Sequence, residues 1–99
     1  MNFVSAQPEI LSAAASRLEE IGTALTDQNT ASSAPTTGVV PAAADGVSLV
    51  TAARFAVYAQ SFQAVSTQAA AIHSAFVSAL QTSADSYAVT EAANAASAR

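Results

Sequence analysis

Residues 55–79 consist of the sequence FAVYAQSFQAVSTQAAAIHSAFVSA. Apolar side chains recur there in alternating steps of three and four residues, at Phe55, Tyr58, Phe62, Val65, Ala69, Ile72, Phe76 and Ala79. This spacing puts them on one face of an α-helix and is typical of a coiled-coil seam. A second, partial stripe comprises Val50, Val57, Val77 and Leu80, and the polar face is marked by Gln60, Thr67, Ser74 and Gln81. The pattern predicts a helix over about 46–84, with the Asp45 carboxylate as its N-cap.

A shorter helix is predicted upstream, over about 8–32. Pro8 suits the first helical position, and Glu9 is favoured near the positive end of the helix dipole. A heptad seam then follows at Leu11, Ala14, Leu18, Ile21 and Leu25. Residues 34–44 contain two prolines and one glycine, which predicts a linker that reverses the chain. We expect Val39 and Val40 of this linker to pack on the end of the helices.

These elements predict an all-α fold, an antiparallel two-helix hairpin in which the seam of each helix packs on the other. The second stripe would then stay exposed, which normally marks an interaction surface. We therefore expect a partner protein to complete a four-helix bundle, and a homodimer is the alternative that geometry leaves open. The candidate partner contacts are the apolar positions of all three stripes: Leu11, Leu18, Ile21, Leu25, Val50, Phe55, Val57, Tyr58, Phe62, Val65, Ile72, Phe76, Val77 and Leu80.

The composition also indicates that the chain needs a partner. Of its 99 residues, 27 are Ala, and only 24 are larger apolar residues, which is a small supply for a self-sufficient core. Charged residues make up 10%, against roughly 25% in ordinary soluble domains. The net charge of −4, with three Arg and no Lys, predicts no binding to nucleic acid or anionic lipid.

No residue pattern indicates catalysis, a metal site or a cofactor. The chain has no Cys, and its single histidine, His73, has no acid or nucleophile placed beside it, so we expect a boundary or partner-contact role. Glu19 and Glu20 are adjacent and would point in different directions from a helix. No Gly-x-Ser-x-Gly elbow or phosphate-binding loop is present, and no small-molecule substrate is indicated.

Neither a membrane span nor a cleavable signal peptide is predicted. The most apolar stretch, 52–59, contains Arg54 and is too short to cross a bilayer. The N-terminus lacks the basic side chain and apolar core of a secretory signal. After residue 84 the large apolar residues become rare, and we expect 85–99 to be an extended or loosely helical tail. Tyr87 and Glu91 in it would share a face if helical, forming either a recognition patch or a chance pair.

Several of these features together resemble the mycobacterial PE family. They are Phe3-Val4 and Pro8-Glu9 near the start, the Ala-rich first helix, the linker 35–45 and the closing Tyr87-x-x-x-Glu91. The resemblance covers essentially the whole chain, which looks like a PE-only member ending just after the family domain. Under this interpretation residues 1–84 are the PE domain, with linker 34–44, and residues 85–99 are a tail with the secretion motif.

The resemblance implies a function as well as a fold. PE proteins pair with PPE proteins, whose helices complete the four-helix bundle, and the pairs leave the cytoplasm for the cell surface or medium through type VII (ESX) secretion machinery. It implies that Tyr87 and Glu91 form part of the export signal, that Pro8 and Glu9 are the family motif, and that the complementary Trp-x-Gly turn lies on the PPE partner. An EspG chaperone is expected to hold the PPE subunit. An outer-membrane nutrient-permeation complex and a homodimeric scaffold remain the alternative roles.

Overall fold

Two helices account for most of the chain in a computed structural model, which describes residues 5–98. Helix α1 spans Pro8–Thr37 and helix α2 spans Gly46–Ser97. They pack against each other as a hairpin joined by residues 38–45, and residues 5–98 contain no strand. The predicted all-α hairpin is therefore confirmed, while its completion to four helices by a partner stays a prediction.

Both helices begin where the sequence predicts. Pro8 opens α1, Glu9 lies in its first turn, and the amides of Ile10 and Leu11 donate to the Gln7 carbonyl at 3.0 and 3.2 Å. At the start of α2 the Ser48 amide donates to Asp45 Oδ1 at 3.2 Å. The Asp45 carboxylate thus accepts one of the amides that the first turn leaves without a helical partner.

Helix α1 continues five residues beyond the predicted end at about 32, through Pro35. Hydroxyl groups support this last turn: Thr36 Oγ1 donates to the Ser32 carbonyl at 2.6 Å and Thr37 Oγ1 to the Ser33 carbonyl at 2.8 Å. These bonds, with that from the Gly38 amide to the Ala34 carbonyl at 3.0 Å, satisfy carbonyls at the end of the helix. The prediction that Val39 and Val40 pack on the helices is wrong for Val40, which is 82% exposed, whereas Val39 is 40% exposed and lies beside the first turns of α2.

Helix α2 continues to Ser97, well past the predicted end at about 84. The expectation of an extended or loosely helical tail is therefore wrong for residues 85–97. No Gly or Pro follows Gly46 in the sequence, and alanine, the strongest helix former, is frequent to the end. Tyr87 and Glu91 consequently lie on a regular helix.

The hairpin divides into two compact units. Among the described residues, one combines 5–22 with 73–98, and the other is Thr23–Ile72. In the first unit Ala15 and Ala84 are 2% and 1% exposed, and in the second Ala52 and Ala59 are 9% and 8% exposed. These alanines are the buried hydrophobic residues of the described chain, so small side chains form the most buried part of the contact between the helices.

Polar side chains join the helices at these contacts. In the first unit Ser12 Oγ donates to Gln81 Oε1 at 3.2 Å, and His73 Nε2 lies 2.6 Å from the Leu18 carbonyl oxygen. Since a carbonyl oxygen only accepts, His73 carries its proton on Nε2. In the second unit Gln63 Nε2 donates to the Asn29 carbonyl at 3.1 Å. The bonded positions advance along α1 as they retreat along α2, which confirms the antiparallel order.

The intrachain seam proposed from the aromatic spacing is wrong for α2. The positions that turn towards α1 also alternate in steps of three and four, and they are the buried and half-buried residues Ala52, Ala56, Ala59, Gln63, Ser66, Ala70, His73, Val77, Leu80 and Ala84. This small-residue stripe lies roughly 80° around the helix from the aromatic one, at 100° per residue. Val77, Leu80 and Gln81, which were expected to be exposed, are half-buried.

The α1 seam is only partly as predicted. Leu11 and Leu18 are half-buried, whereas Ala14, Ile21 and Leu25 are exposed. The two helices approach closely at Gly22, because a Cβ atom there would lie 2.6 Å from His73 Cδ2 and 2.8 Å from His73 Nε2. The imidazole of His73 on α2 thus occupies the space that a side chain at Gly22 on α1 would fill.

The contact between Gly22 and His73 predicts that the effect of Gly22→Ala on stability depends on the presence of the imidazole. Gly22→Ala is expected to destabilise the protein by about 1–3 kcal/mol, because the added methyl displaces the imidazole from the Leu18 carbonyl. In a His73→Ala background the same change should be neutral or stabilising by up to about 1 kcal/mol, since alanine is the better helix former. Thermal unfolding followed by circular dichroism measures all four proteins, with any partner that keeps them in solution held constant. An equal effect of Gly22→Ala in both backgrounds would contradict the contact.

The Asp45 cap predicts a dependence of stability on pH. Hydrogen bonds from the side chain and then the backbone amide of Ser48 hold the pKa of the Asp45 carboxyl below its ordinary value of 3.8. Its stabilising contribution is therefore complete well above pH 3.8 and is lost as the pH falls through the lowered pKa of the folded state. Asp45→Asn, which caps without ionising, should reduce this part of the acid sensitivity in unfolding curves. An unchanged pH profile would show that the cap is not ionic.

Candidate partner-binding surface

The most apolar surface of the hairpin lies on α2. In the unit Thr23–Ile72 it consists of Phe55, Tyr58, Phe62, Val65 and Ile72, which we call the aromatic face. Each of these side chains is between 49% and 72% exposed. In the other unit Phe76 is also exposed. The spacing correctly predicted the helical period, but α1 does not pack on this face.

The apolar side chains exposed on the aromatic face are larger than the side chains that the hairpin buries. Within residues 5–98 no large side chain is fully buried, and the buried positions are alanines. Folded monomers rarely leave extended apolar surface in water, and where they do it usually marks a binding site. The aromatic face therefore has the character of half of a helix–helix interface.

The charge pattern indicates what such an interface would accept. From Phe55 to Ala84 the sequence contains no Asp, Glu, Lys or Arg. An apolar helix with its own large side chains in three–four spacing fits this face, because knobs-into-holes packing requires matched periods and no buried unpaired charge. A charged side chain on a partner would find no oppositely charged side chain between Phe55 and Ala84.

Apolar side chains extend the surface towards the loop. Val39, Val40 and Pro41 border a shallow groove with Val47 and Phe55, all in the unit Thr23–Ile72. A second hollow is lined by Val50, Ala53, Arg54, Val57 and Tyr58. Val50 and Val57 are exposed, as the sequence predicted.

The remaining predicted contacts divide into two groups. Ile21 and Leu25 on α1 are exposed and available, whereas Leu11, Leu18, Val77 and Leu80 are half-buried within the hairpin. Exposed apolar residues that the sequence analysis missed are Ile10, Val47, Leu49 and Val89. They fall outside the stripes, so a single repeating period of apolar residues does not identify them.

A second surface lies where α1 begins and α2 ends, within one unit. Tyr87 is 47% exposed, and Glu91, four residues later on the helix, falls on the same side. Glu91 and Asp85 line a shallow groove with Pro8 and Glu9 from the first turn of α1. Residues separated by most of the sequence, the Pro8-Glu9 pair and Glu91 of the second motif, thus border one groove.

No group of three or more His, Asp or Glu side chains in residues 5–98 is arranged to hold a metal ion. None of the described helices is both long and apolar enough to cross a membrane.

Comparison with known proteins gives consistent matches. The PE family model matches residues 4–94. PE family protein PE13 of Mycobacterium tuberculosis (strain H37Rv) is 58% identical over 98 residues, which is 99% of this chain and 99% of PE13. PE8 of the same strain is 47% identical over 98 residues, which is 99% of this chain and 36% of PE8. PE_PGRS46 of Mycobacterium bovis is 52% identical over 96 residues, which is 97% of this chain and 12% of PE_PGRS46.

Proposed function

The chain belongs to the PE family, and from that membership we propose that it is a non-catalytic subunit that pairs with a PPE protein. The pair is exported through a type VII secretion system to the cell envelope or the medium. The chain contributes half of a four-helix bundle and the export motif Tyr87-x-x-x-Glu91. The EspG chaperone acts on it indirectly, through the PPE subunit.

The aromatic face is the observation that carries the pairing proposal. It offers Phe55, Tyr58, Phe62, Val65 and Ile72 to solvent in a three–four repeat, while the hairpin buries alanines. Apolar area removed from water contributes about 25 cal/mol per Å², so covering these side chains favours association strongly. A partner with two apolar helices would cover this face and complete the bundle.

The export proposal is supported by where its motif lies. Tyr87 and Glu91 are on the exposed last part of α2, remote in sequence from the aromatic face. A rigid helix fixes the phenol and the carboxylate one turn apart, which suits recognition of both by one partner surface. We expect binding to a PPE protein through the aromatic face to leave the motif free to contact the secretion machinery.

Pairing predicts a strong effect of a charge on the aromatic face. Phe62→Asp should weaken the complex with the cognate PPE protein by more than about thirtyfold, because an unpaired carboxylate would be buried in place of a ring. Gln60→Asp is the matched control, since Gln60 is exposed on the polar face of the same helix. Co-purification and titration calorimetry measure both, starting with any PPE protein encoded beside this chain.

Equal binding of the Phe62→Asp and Gln60→Asp variants would contradict the proposed interface. The same preparations made without a PPE protein add a second criterion. The chain alone should be weakly helical or aggregated, with rescue by the partner. A stable, fully helical monomer would refute an obligate partner, and a discrete homodimer in light scattering would favour the scaffold role instead.

The proposed export motif predicts that export can be lost without loss of PPE binding. Tyr87→Ala and Glu91→Ala should each abolish appearance of the chain outside the cell while leaving its complex with the PPE protein intact. The alanine replacements keep the helix, since alanine is the best helix former. Immunoblots of culture filtrate and cell lysate, with pull-down of the partner, measure both properties. Normal export of both variants would show that the motif is not a signal.

A further inference from the structure

The groove between the first turn of α1 and the last part of α2 brings the Pro8-Glu9 pair next to Glu91 of the Tyr87-x-x-x-Glu91 motif. Pro8 and Glu9 line it from one side, and Asp85, Ala88 and Glu91 line it from the other. Glu9 and Glu91 belong to opposite ends of the sequence, and the groove that they share exists only when the two helices are paired. Tyr87 lies on the same helix, one turn before Glu91.

The pairing that forms this groove is well fixed. Ala84, which lines it, is 1% exposed, so the two helices are in close contact at its floor. Ser12 Oγ donates to Gln81 Oε1 at 3.2 Å, and Gln81 Nε2 donates to Asp85 Oδ1 at 3.1 Å, which ties an α1 lining residue to an α2 one. The bond from His73 to the Leu18 carbonyl sets the same register further along this unit.

We propose that Pro8 and Glu9 are specificity-determining residues of the export signal, forming with Tyr87 and Glu91 one surface that the secretion machinery binds. This proposal rests on the export function proposed above. The signal would then be a property of the folded hairpin, not of the linear segment 87–91. Pro8 sets the first helical turn, and that turn holds the Glu9 carboxylate beside the groove.

The chemistry of the groove indicates the kind of group that docks there. Its lining consists of small or apolar side chains with the carboxylates of Glu9, Asp85 and Glu91, and it includes no Arg or His. A basic side chain of a protein component of the secretion machinery fits this lining, since carboxylates accept charge-assisted hydrogen bonds from Arg or Lys. Tyr87 would add an aromatic contact next to it.

The test compares Glu9→Gln with Glu20→Gln. Both changes remove one carboxylate from α1 and leave a side chain of the same size, but Glu20 is exposed outside the groove. With the complete chain and its PPE partner expressed together, Glu9→Gln should lower the exported fraction about tenfold, the loss expected for one charge-assisted hydrogen bond. Glu20→Gln should be exported normally, and both variants should retain the PPE complex.

Normal export of the Glu9→Gln variant would overturn the composite surface, as would a loss of PPE binding, which would place Glu9 in the pairing interface. The Tyr87→Ala and Glu91→Ala variants, measured in parallel, keep the two proposals separate. If those two fail to be exported while Glu9→Gln behaves as the unchanged protein, the linear motif stands and only the composite surface fails. If those two are exported normally, the export function itself fails.

Discussion

The imidazole of His73 lies where Gly22 has no side chain, and the closeness of α1 to α2 follows from contacts of this kind. The ring nitrogen is 2.6 Å from the Leu18 carbonyl oxygen, and an added methyl at Gly22 would overlap it. Alanines at the other facing positions permit the same approach. Small side chains form the most buried part of the seam, and the side chains of the aromatic face lie outside it and face solvent.

The same helix α2 therefore carries two stripes of equal period, and only one of them packs on α1. The small-residue stripe, with Ala59 buried, packs within the hairpin, and the aromatic face, with Phe62 exposed, is available to another protein. A hairpin built this way has little core of its own. Its composition, rich in Ala and poor in charge, fits the inner half of a larger bundle. This division supports the proposed pairing, and the choice of a PPE protein as the partner rests on family membership.

The sequence predicted the helices better than it predicted their faces. Pro8 and Asp45 marked helix starts correctly because capping depends on local backbone groups. The aromatic spacing gave the right period, but a single helix with two stripes does not reveal which stripe meets its neighbour, since that choice depends on side-chain volume across the contact. The alanines spaced three and four residues apart around Ala59 are the sequence feature that marks the face in contact with α1. The helical tail was predictable from its Ala content and its lack of Gly or Pro.

The central claim is that the aromatic face is covered in the assembled protein, and thiol protection tests it directly. The chain has no Cys, so Phe62→Cys and Gln60→Cys each introduce a unique probe. In the complex with the PPE protein, a thiol at position 62 should react slowly with a water-soluble maleimide, and one at position 60 should react rapidly. On dissociation the thiol at position 62 should become as reactive as that at position 60. Equal, rapid labelling of both thiols within the intact complex would contradict the account.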